Sequence, residues 1–110
     1  MAAVLLVMAA SCTNYQFAID CPEGTEGMSY SADIQPIFDA NCKACHSGGQ
    51  SPNLSAGSSY DELTEGGYID AEFPCESKLY QVFSGTHGGR ASDEEILMIL
   101  GWIQDGAEDN

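Results

Sequence analysis

Positive charge is what this sequence has least of: three Lys and Arg residues stand against 17 Asp and Glu, a formal net charge of −14 over 110 residues. That imbalance argues against polyanions as partners, because nucleic acid and anionic membrane surfaces are held through Lys and Arg that neutralise phosphate. A protein partner with a basic or locally positive docking surface suits the chain better, with electrostatic steering of the encounter. The plainer reading of the same charge is a solvated, self-repelling surface. Long apolar runs are missing too. The stretch Ala2 to Ala10 holds nine apolar residues, about half of what a bilayer-spanning helix needs. No alternation of strands and helices is visible, and no nucleophile–base constellation suggests hydrolysis or group transfer, so the chain is not read as an enzyme. The length allows one small domain with a thin core.

Cysteine, by contrast, is abundant, with five in the chain. Two of them lie in Cys42-Lys43-Ala44-Cys45-His46, the spacing by which c-type haem is attached. Two thiols that add to the vinyl groups on one side of a porphyrin must sit about one helical turn apart, and positions i and i+3 of a helix end meet that condition. The histidine that follows is carried under the ring, where an imidazole nitrogen reaches the iron. The expected cofactor is therefore one covalent haem c. Other chemistries use the same residues. A redox dithiol expects a strand–turn–helix setting, and a zinc site would need four ligands, which Cys42, Cys45, His46 and His87 supply on paper.

Cys12, Cys21 and Cys75 remain, an odd number. One division accounts for them: Cys12 is lipidated and Cys21 pairs with Cys75, a disulfide that requires an oxidising compartment. Ala9-Ala10-Ser11 before Cys12 resembles a lipoprotein cleavage box after a short signal-peptide core. No Lys or Arg forms the usual basic start, and a plain cleaved or unprocessed leader is the alternative. Residues 1–11 are thus read as a leader, 12–29 as a tether that becomes ordered near Cys21, and 30–110 as the folded domain.

Within that domain four helices are expected. The first runs from Asp33 to Cys42, capped by Ser31 or Ser29, with Asp33 in its first turn and Ile34, Ile37, Phe38 and Cys42 on one stripe. The loop Ser47 to Asn53 follows the histidine. A carbonyl near Pro52 is the natural acceptor for the imidazole N–H that does not face the iron, and Leu54 is placed to cover a haem edge. Ser58–Glu65 and Ser77–Phe83 read as short helices stopped by Gly66 and Gly85, with Leu63, Leu79, Val82 and Phe83 facing inward. The last helix carries the plainest signals: a capping box from Ser92 to Glu95, an apolar repeat at Ile96, Ile99, Leu100 and Ile103, and Gly106 at its end. Trp102 is expected against the haem or the first helix, in a structural role.

Taken together, Tyr30-Ser31-Ala32-Asp33-Ile34-Gln35-Pro36-Ile37-Phe38 leading into the CxxCH run, and Ser92-Asp93-Glu94-Glu95-Ile96 running into Gly101-Trp102-Ile103, resemble the small class I-like monohaem cytochrome c domains of bacteria. The resemblance covers about Tyr30 to Ala107. It implies an all-α fold, with first and last helices crossing beside a covalent haem, and one-electron transfer with redox protein partners. Such domains often carry a Met-Pro pair before the last helix. Here that loop reads Gly85-Thr86-His87-Gly88-Gly89-Arg90, without methionine, and by elimination His87 is the expected sixth ligand beside His46. The competing reading is an exposed loop histidine and an open or water-bound iron. Lys78 or Arg90 is expected to neutralise a haem propionate. The leading function is an electron carrier outside the cytoplasm, periplasmic, lipid-anchored through Cys12 or docked to a respiratory complex. The alternative is a haem-based sensor or small-ligand binder with a displaceable distal side.

Overall fold

The computed structural model describes residues 21–85 and 87–110. The leader-like run, Cys12 and the first part of the tether lie outside the described residues. Among those residues the secondary structure is helical, with no β-strand, the all-α architecture expected.

The first helical stretch begins earlier than its apolar stripe suggests. Ser29 Oγ accepts from the Ala32 N–H, while the Ser29 N–H donates to Asp33 Oδ2 at 2.8 Å. This reciprocal cap starts a wide π-type segment, Tyr30–Ile34, which passes into α1, Gln35–Asn41. Pro36 stands in the first turn of α1, where a missing N–H costs nothing. Ile34, Ile37 and Phe38 are buried. Helix α2 spans Ser59–Glu65 and sends Leu63 into the core. A 3-10 turn, Pro74–Glu76, precedes α3, Lys78–Ser84, whose Leu79 and Phe83 are buried.

The last helix, α4, is Asp93–Gln104. Ser92 Oγ accepts from the Glu95 N–H and Glu95 Oε1 accepts from the Ser92 N–H, which completes the expected capping box. Its Ile99, Leu100, Trp102 and Ile103 are almost wholly removed from solvent. Trp102 packs on the first helical stretch: its ring centre is 4.9 Å from that of Tyr30, and Tyr60 of α2 stands edge-on to Tyr30 at 5.3 Å.

Residues 21–29 are stitched onto α4. The Thr25 N–H donates to Leu97 O at 3.0 Å, the Gly24 N–H to Gln104 Oε1 at 2.8 Å and the Gly27 N–H to Asp105 Oδ2 at 3.1 Å. The approach is so close that a Cβ on Gly101 would collide with the backbone of Thr25, and one on Gly24 with the backbone of Gly101. A disulfide joins Cys21 to Cys75, across a sequence separation of 54. The segment is thereby tied to α4 by hydrogen bonds and to the turn before α3 by a covalent bond.

Candidate haem-binding site

Helix α1 ends at Asn41, and the CxxCH run occupies the turns just beyond it. The N–H groups of Cys42 and Lys43 both reach back to Phe38 O, and those of Cys45 and His46 both reach Cys42 O. This continuation coils the motif tightly enough to bring Cys42, Cys45 and His46 to one side. Neither cysteine takes part in a disulfide. Burial pushes the Cys42 thiol above its ordinary pKa, and the nearby Glu95 carboxylate adds to the effect. A reactive dithiol needs the opposite, a stabilised thiolate. Among the described residues no three or more His, Cys, Asp or Glu side chains converge to hold a metal ion.

A mostly apolar cleft of about 290 Å3, open to solvent, lies over the motif. Phe38, Leu54, Leu79, Val82 and Phe83 supply its apolar wall, and Cys42, His46 and His87 its chemical groups. Cys45 and Arg90 border the adjoining recess, which shares Cys42, His46 and His87. Lys78 also lines the cleft, with its ammonium 5.3 Å from the centre of the Tyr68 ring. Trp102 takes no part in this lining; it serves the core against Tyr30.

The carbonyl of Pro52 lies 3.0 Å from His46 Nδ1, with Gln50 O farther away at 3.3 Å. Nδ1 is thus engaged by the loop, which leaves Nε2 as the nitrogen available to a metal. The loop is closed at its far end by the Leu54 N–H, which donates to His46 O at 2.6 Å. On the facing side, His87 is held by its backbone: its N–H donates to Val82 O at 2.7 Å, and its carbonyl accepts from the Arg90 N–H. The two imidazole ring centres lie 6.3 Å apart, with planes inclined by 36°. Two imidazoles sharing one metal, each nitrogen about 2 Å from it, have ring centres about 6 Å apart. The donor set, its spacing and the apolar wall fit a haem. Cys42, His46 and His87 thus line one cleft, and Cys45 borders the recess beside it. Tyr68 and Gln50, which also line it, carry no sequence signal that marks them.

A helical domain of this size, with a CxxCH turn opening on an apolar cleft, defines the c-type cytochrome class. The comparisons carry the assignment further. The chain is 31% identical over 115 aligned positions, 96% of each chain, to cytochrome c6 of Picosynechococcus sp.. It is 29% identical over 79 residues to cytochrome c6 of Chlorolobion braunii, and 32% identical over 72 residues to chloroplastic cytochrome c6 of Chlamydomonas reinhardtii. These alignments cover 67% and 61% of the present chain. No family model and no solved structure matches it. The chain belongs to the small monohaem cytochrome c family that includes cytochrome c6. Its cofactor is a single covalent c-type haem, and it is a small electron carrier.

Proposed function

We propose that this protein is a one-electron carrier working outside the cytoplasm, with His46 and His87 as the two axial ligands of its haem. Cys42 and Cys45 would form the thioether links, and the first and last helices would cross beside the ring. The observation that carries this reading is the pair of imidazoles with ring centres 6.3 Å apart. When bound, the haem supplies a one-electron ferric–ferrous couple. The protein's part is to fix and shield it. The Pro52 carbonyl holds the His46 tautomer, the backbone bonds at Val82 and Arg90 hold His87, and Leu54, Leu79 and Phe83 exclude water. Lys78 or Arg90 is the cation for a propionate.

The extracytoplasmic location is supported by the apolar leader-like run and by the Cys21–Cys75 bridge, which persists in oxidising compartments. No helix among the described residues is long and apolar enough to cross a membrane. Attachment would come through lipid on Cys12 or docking to a respiratory complex. The acidic surface suits a redox partner that is basic or locally positive where it docks.

The test is His87→Ala. Denatured, acid-extracted protein should retain its haem colour in both forms, because the thioethers survive. The parent should show a low-spin spectrum without the weak long-wavelength band of an iron–methionine bond, and a lower potential than His/Met cytochromes. His87→Ala should open the sixth position, so that the ferrous variant binds carbon monoxide readily and the parent does not. An unchanged spectrum and potential in the variant would reduce His87 to a loop residue. Ready binding of carbon monoxide by the parent would favour the sensor or small-ligand reading.

A further inference from the structure

We propose that Gln35 is a positioning residue for the proximal imidazole, acting through the loop that carries Pro52; this rests on the reading of His46 as an axial ligand. Gln35 is a polar side chain in the core, 7% exposed, and it is fully engaged. Its amide N–H group donates to Leu54 O at 2.9 Å and to Asp39 Oδ1 at 3.0 Å. Its carbonyl oxygen accepts from the hydroxyl of Ser59, which is 1% exposed. With the Ser59 proton so committed, the Tyr30 hydroxyl must donate to Ser59 Oγ, 2.6 Å away. A buried relay thus runs from Tyr30 through Ser59 and Gln35 to the backbone of Leu54.

Leu54 is where this relay meets the haem site. Its carbonyl is held by Gln35 and its N–H by the carbonyl of His46. Leu54 therefore closes the loop that begins at His46 and contains both carbonyls near Nδ1. Pro52 O is the nearer at 3.0 Å and Gln50 O the farther at 3.3 Å. The position of Leu54 decides how squarely Pro52 meets the ring. A well-made bond to Nδ1–H raises the basicity of the ligating nitrogen, and a more basic ligand favours ferric over ferrous iron. Loosening Leu54 should therefore weaken the Pro52 bond and raise the reduction potential.

The experiment compares the holoprotein with Gln35→Met, which keeps length and volume but has no donor for Leu54. Redox titration should show a higher potential in the variant. The His46 Nδ1 proton, followed by NMR in the low-spin protein, should exchange with solvent several-fold faster. Ser59→Ala, which removes the far support of Gln35 and the acceptor of the Tyr30 hydroxyl but leaves the bond from Gln35 to Leu54, should shift both in the same direction and by less, and the double variant should match Gln35→Met in potential and exchange. A lower melting temperature with unchanged potential and unchanged Nδ1 exchange overturns the proposal and leaves Gln35 a satisfied core amide. If Gln35→Met does not accumulate as folded holoprotein, Ser59→Ala carries the same test, and the absence of any shift there overturns it. Failure of the underlying reading looks different, because the parent itself would then lack a His46-ligated low-spin spectrum.

Discussion

Removing the disulfide by replacing Cys21 and Cys75 with Ser should cost about 4 kcal/mol of stability. The bridge closes a loop with a sequence separation of 54. In the chain-entropy model a loop of that size reduces the entropy of the unfolded chain by about 14 cal/mol/K, hence about 4 kcal/mol at 25 °C. A domain of this size is stable by only about 5–15 kcal/mol in total, so the loss is a large part of the whole. The native side should change little, because the hydrogen bonds from Gly24, Thr25 and Gly27 to α4 and its end remain. The assay is urea unfolding of the holoprotein at fixed haem content. The midpoint should fall and the slope rise, since an uncrosslinked unfolded chain exposes more surface. A loss below about 1 kcal/mol with an unchanged slope would refute the reasoning. It would mean that the covalent haem or residual structure already restricts the unfolded ensemble.

Two further changes test the packing. Gly101→Ala should destabilise by about 2–3 kcal/mol in the same assay, because the new methyl group meets the Thr25 backbone rather than a side chain that can swing away. Burial raises the Tyr30 hydroxyl to a pKa of about 12, against an ordinary value of 10.0. The folded protein therefore holds this proton more tightly than the unfolded chain, so the contribution is complete below pH 10 and is lost as the pH rises from 10 toward 12. Unfolding free energies measured across that window should fall by roughly 2 kcal/mol in the parent and by clearly less in Tyr30→Phe.

What the sequence made legible was local. The capping box at Ser92 and Glu95 involves groups three residues apart, the apolar stripe of α4 follows the helical period, and the CxxCH spacing is set by the porphyrin. In each case the partners are neighbours in the chain, so residue type and spacing suffice. The carbonyl of Pro52 was within reach for the same reason, six residues from His46.

The tether was not legible in this way. Gly24, Thr25 and Gly27 show no period because their partners are the backbone of Leu97 and the side chains of Gln104 and Asp105, all more than 70 positions away. Only two glycines mark the contact, and Gly24 looks like any turn glycine until Gly101 is seen against it. Of the two candidate caps, Ser29 is the one used; the start at Tyr30 precedes the apolar stripe because Ser29 and Asp33 fix the wide turn, not apolar spacing. Gln35 carries a signal in the sequence. It lies between Ile34 and Phe38 on the inward face of α1, where a polar residue needs a buried partner. That partner is Leu54, the residue that closes the proximal loop. The one polar side chain that interrupts the apolar stripe thus leads to the haem site by hydrogen bonding, as the stripe itself does by packing.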